Sequence, residues 1–419
     1  MKELKLKIKD LVINVSKKPF LAGSILVLFG VNLYNFGQTI FHLIIGRLLG
    51  RSGYADFAAI VSILGIVIIV QQAFGLTIIK FVSSGKNEKF IVNFTRWVFL
   101  WSMCLGIFLS LAFLLLSSLL ADFLHINQTN AILILSPTII LLVFLNTAKL
   151  IFQGLLKFGW YVSSHLLEVI IKLLLAVPFI LLGWEVFGVM VAIAIAVLCS
   201  AFLTYFPLVK YIVGKRGKPP DILPLFKYSI PVFFLSIALT SMLSTDIILV
   251  KHFFSSDEAG LYAALAKLGS IAFFGATPVA SVMFPLISRK YSKDESYNKV
   301  FYLSLLLVLA ISISVVALYK IFPTLVIDLL FGSQFVGGSG KLWWFGVYML
   351  LLGLAVLFTQ FYLSIGKTKV VFLFCLAALL QAILIWFIHP TLLMVIQVSI
   401  LSATLLMVAL LVYFPYHKR

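Results

Sequence analysis

The sequence is poor in charged residues. Charged side chains make up 11% of its 419 residues, less than half of the roughly 25% found in soluble domains. Hydrophobic residues make up 63%, and the mean hydropathy is +1.16. Many apolar runs reach the ~20 residues that a helix needs to cross a ~30 Å hydrocarbon layer. The chain is therefore predicted to be an all-α integral membrane protein.

Cysteine is also scarce, which excludes a disulfide framework or a cysteine-rich zinc site. The three cysteines, Cys104, Cys199 and Cys375, each lie inside an apolar run. The six histidines are scattered, and neither an HExxH motif nor paired carboxylates occur. The glycine-rich stretch Gly332–Lys341 lacks the spacing of a phosphate-binding loop and is predicted to be a flexible turn. We expect no catalytic residues, no metal site and no cofactor.

Long connections are absent too, so the chain has no room for a soluble domain. The apolar runs predict twelve spans, at approximately 21–45, 54–73, 92–120, 131–153, 159–182, 186–211, 224–251, 260–286, 300–321, 342–365, 368–388 and 391–414. The run Thr324–Phe331 is too short to cross and contains Asp328, so it is predicted to be re-entrant or interfacial. The predicted division is a basic N-terminus at 1–20, a six-helix lobe at 21–211, a linker at 212–223, a second six-helix lobe at 224–414, and a C-terminus at 415–419.

The distribution of basic residues predicts the orientation. With the N-terminus in the cytoplasm, 25 of the 32 Lys and Arg residues fall in inside segments and 5 in outside segments. This excess fits the positive-inside rule and places both termini in the cytoplasm. Attraction to anionic lipid headgroups accounts for the net charge of +18 better than nucleic-acid binding does. We expect no nucleic-acid partner.

A short internal repeat indicates that the chain is duplicated. The end of span 1 and the end of span 7 each carry two aliphatic residues, a basic residue, a polar turn and an aromatic-Ala-Ala triplet. The basic residues are Arg47 and Lys251, and the triplets begin at Phe57 and Tyr262. Since six spans separate the copies, they predict two parallel, pseudo-symmetric lobes.

Polar side chains divide the first span into two faces. Asn32, Asn35, Gln38, Thr39 and His42 fall within a sector of about 120° of a helix. Two interpretations are open: these side chains bond to neighbouring spans, or they line a hydrated cavity, which we favour. On span 4, Lys149 stands in a similar stripe with Asn146 and Gln153, or it snorkels to the interface.

Charged side chains inside the spans need partners or water. Glu168 and Lys172 share one face of span 5, so they form a structural ion pair or line an aqueous interior, which we favour. Asp246 near the end of span 7 and Lys267 near the start of span 8 are expected at similar depth, where they could neutralise each other.

Two stretches of the sequence resemble a known group of transporters. The segment "GRLLGRSGYADFA" after the first span resembles the corresponding part of bacterial and archaeal polysaccharide-export flippases. The segments "TDIILVKHFFSSDEAGLYAALAKLGSI" and "VMFPLISRKYS" resemble spans 7 and 8 of the same group. The positions that match are Asp246, Gly260, Tyr262, Lys267, Phe284 and Pro285. This group belongs to the multidrug/oligosaccharidyl-lipid/polysaccharide exporter superfamily.

The sequence also departs from that pattern. Tyr54-Ala55 stands where the group commonly has an aromatic residue followed by glycine, and the last third has no matching motif. The two additional C-terminal spans of peptidoglycan-precursor flippases are missing, which argues against that branch.

The resemblance implies a function and a set of site residues. It implies two lobes around a central cavity that opens alternately to each side of a bacterial inner membrane or an archaeal plasma membrane. The substrate would be an undecaprenyl-diphosphate-linked oligosaccharide, moved to the outer leaflet. Lys172, Lys267 and Arg47 are candidates for the diphosphate. Asn32, Asn35, Gln38 and His42 are candidates for the glycan, and Lys149 is a further cavity candidate. Glu168 and Asp246 are candidates for coupling to H⁺ or Na⁺.

Partners and competing functions follow from the same resemblance. We expect the protein to act as a monomer among membrane lipids, in cooperation with a glycan polymerase and export machinery. The main alternative is a multidrug or cation exporter of the same superfamily, which would favour an anionic cavity. A membrane glycan polymerase or ligase is less compatible, because such enzymes generally need a large outer loop.

Overall fold

The computed structural model describes residues 19–72, 74–83, 88–212 and 223–413, and these are almost entirely helical. Eleven helices in these ranges are long and apolar enough to cross a membrane. Each of the twelve predicted spans lies essentially within one of these helices, so the predicted all-α membrane fold is confirmed. The predicted N-terminus, linker and C-terminus lie almost entirely outside the described residues.

The helices follow one another with short connections. In chain order they are α1 (Pro19–Gln72), α2 (Gly75–Ser83), α3 (Glu88–Phe123), α4 (Thr129–Leu133), α5 (Leu135–Gly154), α6 (Phe158–Leu181), α7 (Glu185–Ile212), α8 (Leu223–Phe253), α9 (Ser256–Tyr291), α10 (Asn298–Ile321), α11 (Pro323–Leu330), a 3₁₀ helix (Ser333–Gly338), α12 (Ser339–Ser364), α13 (Val370–Phe387) and α14 (Leu392–Tyr413).

Helix α1 holds the first two predicted spans. Its apolar part, Phe29–Ile69, has 41 residues, which at 1.5 Å per residue is about 60 Å of helix, or about twice the hydrocarbon thickness. Gly50 interrupts it with φ 69° and ψ −173°, a conformation that residues with a β-carbon rarely adopt. The helix therefore consists of two legs that meet at Gly50, which explains why eleven helices account for twelve spans.

The chain forms two compact units. The first comprises the described parts of 1–42, 71–119 and 128–229. Within it, the first leg of α1 approaches α6 closely, because Gly30 and Gly37 face Val162 and Val169. Both pairs are seven residues apart, two helical turns, so they form one continuous line of contact.

An apolar cluster lies at one end of this unit, where α2, α3, α5 and α7 meet. Its buried residues include Phe94, Phe152, Leu208 and Tyr211. These side chains stand at the helix ends that the positive-inside rule assigns to the cytoplasm, so they anchor the predicted cytoplasmic end of the unit.

The second unit comprises the described parts of 43–70, 120–127 and 230–419. Helix α12 is its core, packed against α9, α10 and α14, with Phe345, Tyr348 and Leu352 fully buried. This unit includes residues 43–70, which our predicted lobes at 21–211 and 224–414 assign to the first lobe. The boundaries of the lobes stay a prediction.

The segment between α10 and α12 is short but ordered. Helix α11 has eight residues, about 12 Å of helix, too short to cross. Val326 and Ile327 are buried, while Leu325 and Leu329 are exposed; the re-entrant or interfacial position of this piece stays a prediction. The following stretch, Gly332–Lys341, forms a 3₁₀ helix and the start of α12. Our prediction of a flexible turn there is wrong, because Phe335 anchors the stretch in the core.

Candidate functional site

A buried ion pair joins α5 and α6 in the first unit. The Lys149 Nζ lies 2.8 Å from Glu168 Oε2, and the two side chains are only 6% and 11% exposed. Lys149 therefore does not snorkel to the interface. The helical spacing predicted a pair between Glu168 and Lys172, but the hydrogen-bonded partner of Glu168 is Lys149.

Lys172 lies beside this pair, and side chains of α1 contact its ammonium. Its ammonium donates a hydrogen bond to the side-chain oxygen of Gln38 and lies 4.7 Å from the centre of the Phe41 ring. Gln38 in turn donates to the Tyr34 hydroxyl at 2.6 Å. Lys172 is buried, so an amide and an aromatic face stabilise its charge. The structure thus brings together four predicted site residues: Lys149, Glu168, Lys172 and Gln38.

Two tyrosines that sequence reasoning missed complete this cluster. The His165 ring lies between Tyr34 and Tyr161, with ring centres 4.5 and 4.9 Å away. The His165 Nδ1 is buried and has no hydrogen-bond partner among the described residues. Helical spacing could have found both tyrosines, since Tyr34 precedes Gln38 and Tyr161 precedes His165 by one turn.

The predicted polar stripe of span 1 separates into two parts. Gln38 turns towards Lys172, whereas Asn32 and Asn35 are exposed on the surface of the first unit. His42 is half-buried and packs edge-on against the Phe41 ring. On the apolar side of this span, Leu33 and Phe36 are exposed, whereas Gly37 packs against α6. The stripe therefore adjoins the buried cluster and continues onto the surface.

In the second unit, the predicted pair between Asp246 and Lys267 is not formed. Asp246 is 1% exposed and accepts a hydrogen bond from the Tyr262 hydroxyl at 2.8 Å. Lys267 follows Tyr262 by five residues, which turns it about 140° around α9. The two charges were expected at similar depth, but Tyr262, which bonds to Asp246, and Lys267 lie on different faces of α9. In the described part of the chain, the Lys267 ammonium has no hydrogen bond or ion pair.

A chain of buried oxygen and amide groups surrounds Asp246. Tyr348 donates to the backbone oxygen of Met242. Gln381 donates to the Tyr348 hydroxyl at 3.1 Å and to the Ser399 hydroxyl at 2.9 Å. Its own side-chain oxygen is buried without a partner in the described ranges. Sequence reasoning missed these residues because each is a single polar side chain in an apolar helix.

Arg47 and Lys251, the basic residues of the repeat, both bind groups of the second unit: Arg47 at its surface and Lys251 in its interior. The Arg47 guanidinium donates to the backbone oxygens of Asp328, Leu329 and Leu330, which are the last carbonyls of α11. Lys251 is buried and lies 2.7 Å from Asp56. Arg47, our candidate for the diphosphate, thus caps a helix. Lys251 is buried in an ion pair.

Three of the histidines expected to be scattered lie close together in the second unit. The His125 and His252 rings stack with centres 5.5 Å apart, and His389 stacks on Phe253, which also contacts His252. No group of three or more His, Cys, Asp or Glu residues suited to hold a metal ion occurs among the described residues. The histidines pack through their ring faces instead.

The fold is that of a membrane transporter. It is similar to the inward-facing structure of a multidrug resistance MATE family transporter of the MOP superfamily, with a TM-score of 0.79, 16% identity, and coverage of 90% of this chain and 93% of the other. It is also similar to the lipid II flippase MurJ in an inward closed conformation, with a TM-score of 0.75, 16% identity, and coverage of 93% and 87%. A third similar structure is a MOP superfamily transporter from Pyrococcus furiosus, with a TM-score of 0.66, 16% identity, and coverage of 94% and 93%.

The sequence itself decides the family. The model of the polysaccharide biosynthesis protein family matches residues 44–338, and the chain belongs to that family. No curated protein matches the sequence significantly. The resemblance to polysaccharide flippases of the exporter superfamily is confirmed. The chain is therefore a multi-pass membrane protein of this family, with the fold of the transporters named above.

Proposed function

We propose that the protein translocates undecaprenyl-diphosphate-linked oligosaccharides from the cytoplasmic to the outer leaflet by alternating access. The proposal rests on one observation, the surroundings of the Lys267 ammonium. A lysine inside a membrane span costs at least a few kcal/mol, and Asp246, its expected partner, bonds to Tyr262 instead. An ammonium held at bilayer depth without a protein anion in the described residues fits an anionic ligand such as a diphosphate.

The first unit, taken by itself, also carries groups suited to a lipid-linked oligosaccharide. The exposed amides of Asn32 and Asn35 can exchange hydrogen bonds with sugar hydroxyls. They lie one to two turns before Gln38, whose oxygen accepts from Lys172. A glycan against the amides and a phosphate near Lys172 would therefore occupy adjacent positions along α1. Membership of a polysaccharide biosynthesis family supports a glycan substrate.

We propose further that transport is coupled to H⁺ or Na⁺. Asp246 is buried among oxygen groups, with the hydroxyl of Tyr262 at 2.8 Å. A buried carboxylate without a cation among the described residues favours a proton or a small cation. Glu168 is the second candidate, but Lys149 already neutralises it. Asp246 is therefore the stronger of the two.

The remaining predictions belong to the same proposal. The protein would lie in a bacterial inner membrane or an archaeal plasma membrane with both termini in the cytoplasm. It would act as a monomer and deliver its substrate to a glycan polymerase and export machinery, as O-antigen translocases do.

The alternative function is export of cationic drugs. The similarity to a multidrug resistance transporter and the buried, unneutralised Asp246 favour it. The two functions differ in the charge that the substrate must carry. Lys267 would repel a cation and attract a diphosphate, so the behaviour of Lys267 variants separates them.

The test is a pair of substitutions with a matched control. We expect Lys267→Ala to abolish translocation of lipid-linked oligosaccharide in proteoliposomes, while Lys267→Arg retains part of the activity. Lys320→Ala is the control, because Lys320 is exposed and lies over the Trp343 ring. Full activity of a folded Lys267→Ala protein would overturn the assignment. Ethidium efflux without oligosaccharide translocation by the wild-type protein would favour the drug exporter.

A further inference from the structure

Two lysines of the first unit converge on one aromatic ring. The Lys157 ammonium, in the turn between α5 and α6, lies 5.0 Å from the centre of the Tyr211 ring. The Lys210 ammonium, in the last turn of α7, lies 4.9 Å from the same centre. The two ammonium groups are therefore no more than about 10 Å apart. Tyr211 belongs to the buried apolar cluster, so the ring that both lysines contact is firmly held.

No protein anion neutralises this pair in the described part of the chain. Neither lysine has an ion pair there. Two like charges at this separation repel each other, and aromatic contacts alone leave that repulsion in place. An anion that binds both ammonium groups would offset it. The arrangement fits a ligand with several negatively charged oxygens.

The start of α6 adds a third positive element. This helix has 24 residues, begins at Phe158 directly after Lys157, and has no side-chain cap. The first backbone N–H groups of a helix lack partners within the helix and attract anions. Gly159 lies in this first turn, and the space where its β-carbon would stand is open. An anion can therefore approach these N–H groups from the side of Gly159.

The surface next to Lys210 favours a lipid as the carrier of the anion. Phe202, Tyr205 and Phe206 are 64%, 44% and 57% exposed and precede Lys210 by one to two turns of α7. They form a continuous apolar and aromatic face that ends at the exposed Lys210. In a membrane, acyl chains lie along such a face and the headgroup lies at its basic end.

We propose that Lys157, Lys210 and the first turn of α6 bind the phosphate group of an anionic lipid, in the leaflet that our orientation assigns to the cytoplasm. The lipid is a resident partner of the first unit and not the transported substrate. Its chains lie along Phe202 and Phe206. The site is independent of Lys267 and of the substrate that the protein moves.

Lipid-dependent thermal stability of the purified full-length protein tests this site. Phosphatidylglycerol should raise the melting temperature, while phosphatidylcholine and inorganic pyrophosphate at equal concentration should not. Each substitution, Lys157→Gln or Lys210→Gln, should raise the phosphatidylglycerol concentration needed for half of the shift by about fivefold, and both together by about 25-fold. The Lys157→Arg/Lys210→Arg protein should keep the shift, because guanidinium groups also bind phosphate.

Lys320→Gln is the matched control, since Lys320 also lies over an aromatic ring, 4.2 Å from the centre of Trp343. It should leave the response to phosphatidylglycerol unchanged. An unchanged response of the double glutamine protein would overturn the site. An equal shift from pyrophosphate would overturn the lipid and indicate a free anion. If the double variant does not fold, native mass spectrometry of the Lys210→Gln protein decides, because it should retain fewer phosphatidylglycerol molecules than the wild type.

Discussion

The Glu168 carboxylate of α6 accepts a hydrogen bond from the Lys149 ammonium of α5 at 2.8 Å. Both side chains are buried, so each charge depends on the other. Removal of one partner from a buried pair leaves an uncompensated charge and costs about 3–5 kcal/mol. We expect Glu168→Gln to lower the free energy of unfolding by about 3 kcal/mol, measured as a lower melting temperature in detergent.

Two double variants separate stability from function at this pair. Charge reversal in Lys149→Glu/Glu168→Lys restores the attraction and should recover part of the stability that Glu168→Lys alone loses; recovery is incomplete because Lys172, one turn along α6, repels the new ammonium. Replacement of both residues by methionine should also be tolerated, since a matched apolar pair often equals a buried ion pair. A stable methionine variant with normal transport would show that the pair is structural only. Loss of transport at normal stability would place it in the transport pathway.

Lys251 and Asp56 offer a second buried pair, with Nζ and Oδ1 2.7 Å apart. We expect Asp56→Asn to destabilise the protein by about 3 kcal/mol, because the Lys251 side chain is almost fully buried. The matched control is Glu295→Gln, which removes a partner of Lys290 at 3.2 Å in an exposed pair. That change should cost less than about 1 kcal/mol. Equal effects of the two substitutions on the melting temperature would contradict the prediction.

The spans could be predicted from the sequence because hydropathy reports the solvent around each segment. An apolar run long enough to cross the membrane becomes a helix whatever its neighbours are. The direct join between the two legs of α1 at Gly50 could not be predicted from hydropathy. The polar stretch around Arg47 and Arg51 was predicted as an outside loop, yet it is helical on both sides of Gly50. Backbone oxygens of α11 and the 3₁₀ helix accept hydrogen bonds from both arginines, so these side chains need no loop.

The partners of the charged residues could be predicted only in part. Depth along a span follows from counting residues, and it places Glu168, Lys172 and Asp246 inside spans. That the three side chains are buried against neighbouring helices does not follow from depth, and for Glu168 and Lys172 we had favoured an aqueous interior. The choice of partner depends on which face of a helix meets which neighbour. Asp246 bonds to Tyr262 and not to Lys267 because the two α9 residues lie on different faces. A single sequence does not encode that rotation in any local pattern.

The contact between Asp246 and Tyr262 leads to a prediction about coupling. Tyr262→Phe removes the hydroxyl that donates to the carboxylate at 2.8 Å and should slow ion-driven translocation while the protein remains folded. Asp246→Asn should abolish coupling, because an amide cannot exchange a proton or attract a cation as a carboxylate does. Tyr319→Phe is the control, since its hydroxyl donates to a backbone oxygen elsewhere in α9.

The readout is translocation in proteoliposomes with and without an imposed H⁺ or Na⁺ gradient. The wild-type protein should respond to one of the gradients, and the Asp246→Asn protein should respond to neither. A gradient response that survives Asp246→Asn would rule out Asp246 as the coupling group. A normal response from Tyr319→Phe shows that loss of a buried tyrosine hydroxyl is not sufficient to stop coupling.

Gly260 of α9 lies directly against the backbone of the second leg of α1. A β-carbon at this position would clash with the backbone oxygen of Arg51, and backbone atoms cannot move aside as a flexible side chain does. We expect Gly260→Ala to force the two helices apart, to lower stability by about 1–3 kcal/mol, and to weaken the nearby pair of Lys251 and Asp56.

Gly353→Ala is the control, because Gly353 is a buried helical glycine and no atom lies within 4 Å of the position that its β-carbon would take. That substitution should be neutral or slightly stabilising, since alanine favours the helix. Melting temperatures of the two variants, compared under identical conditions, check the prediction, and a Gly260→Ala protein as stable as Gly353→Ala would refute the close approach.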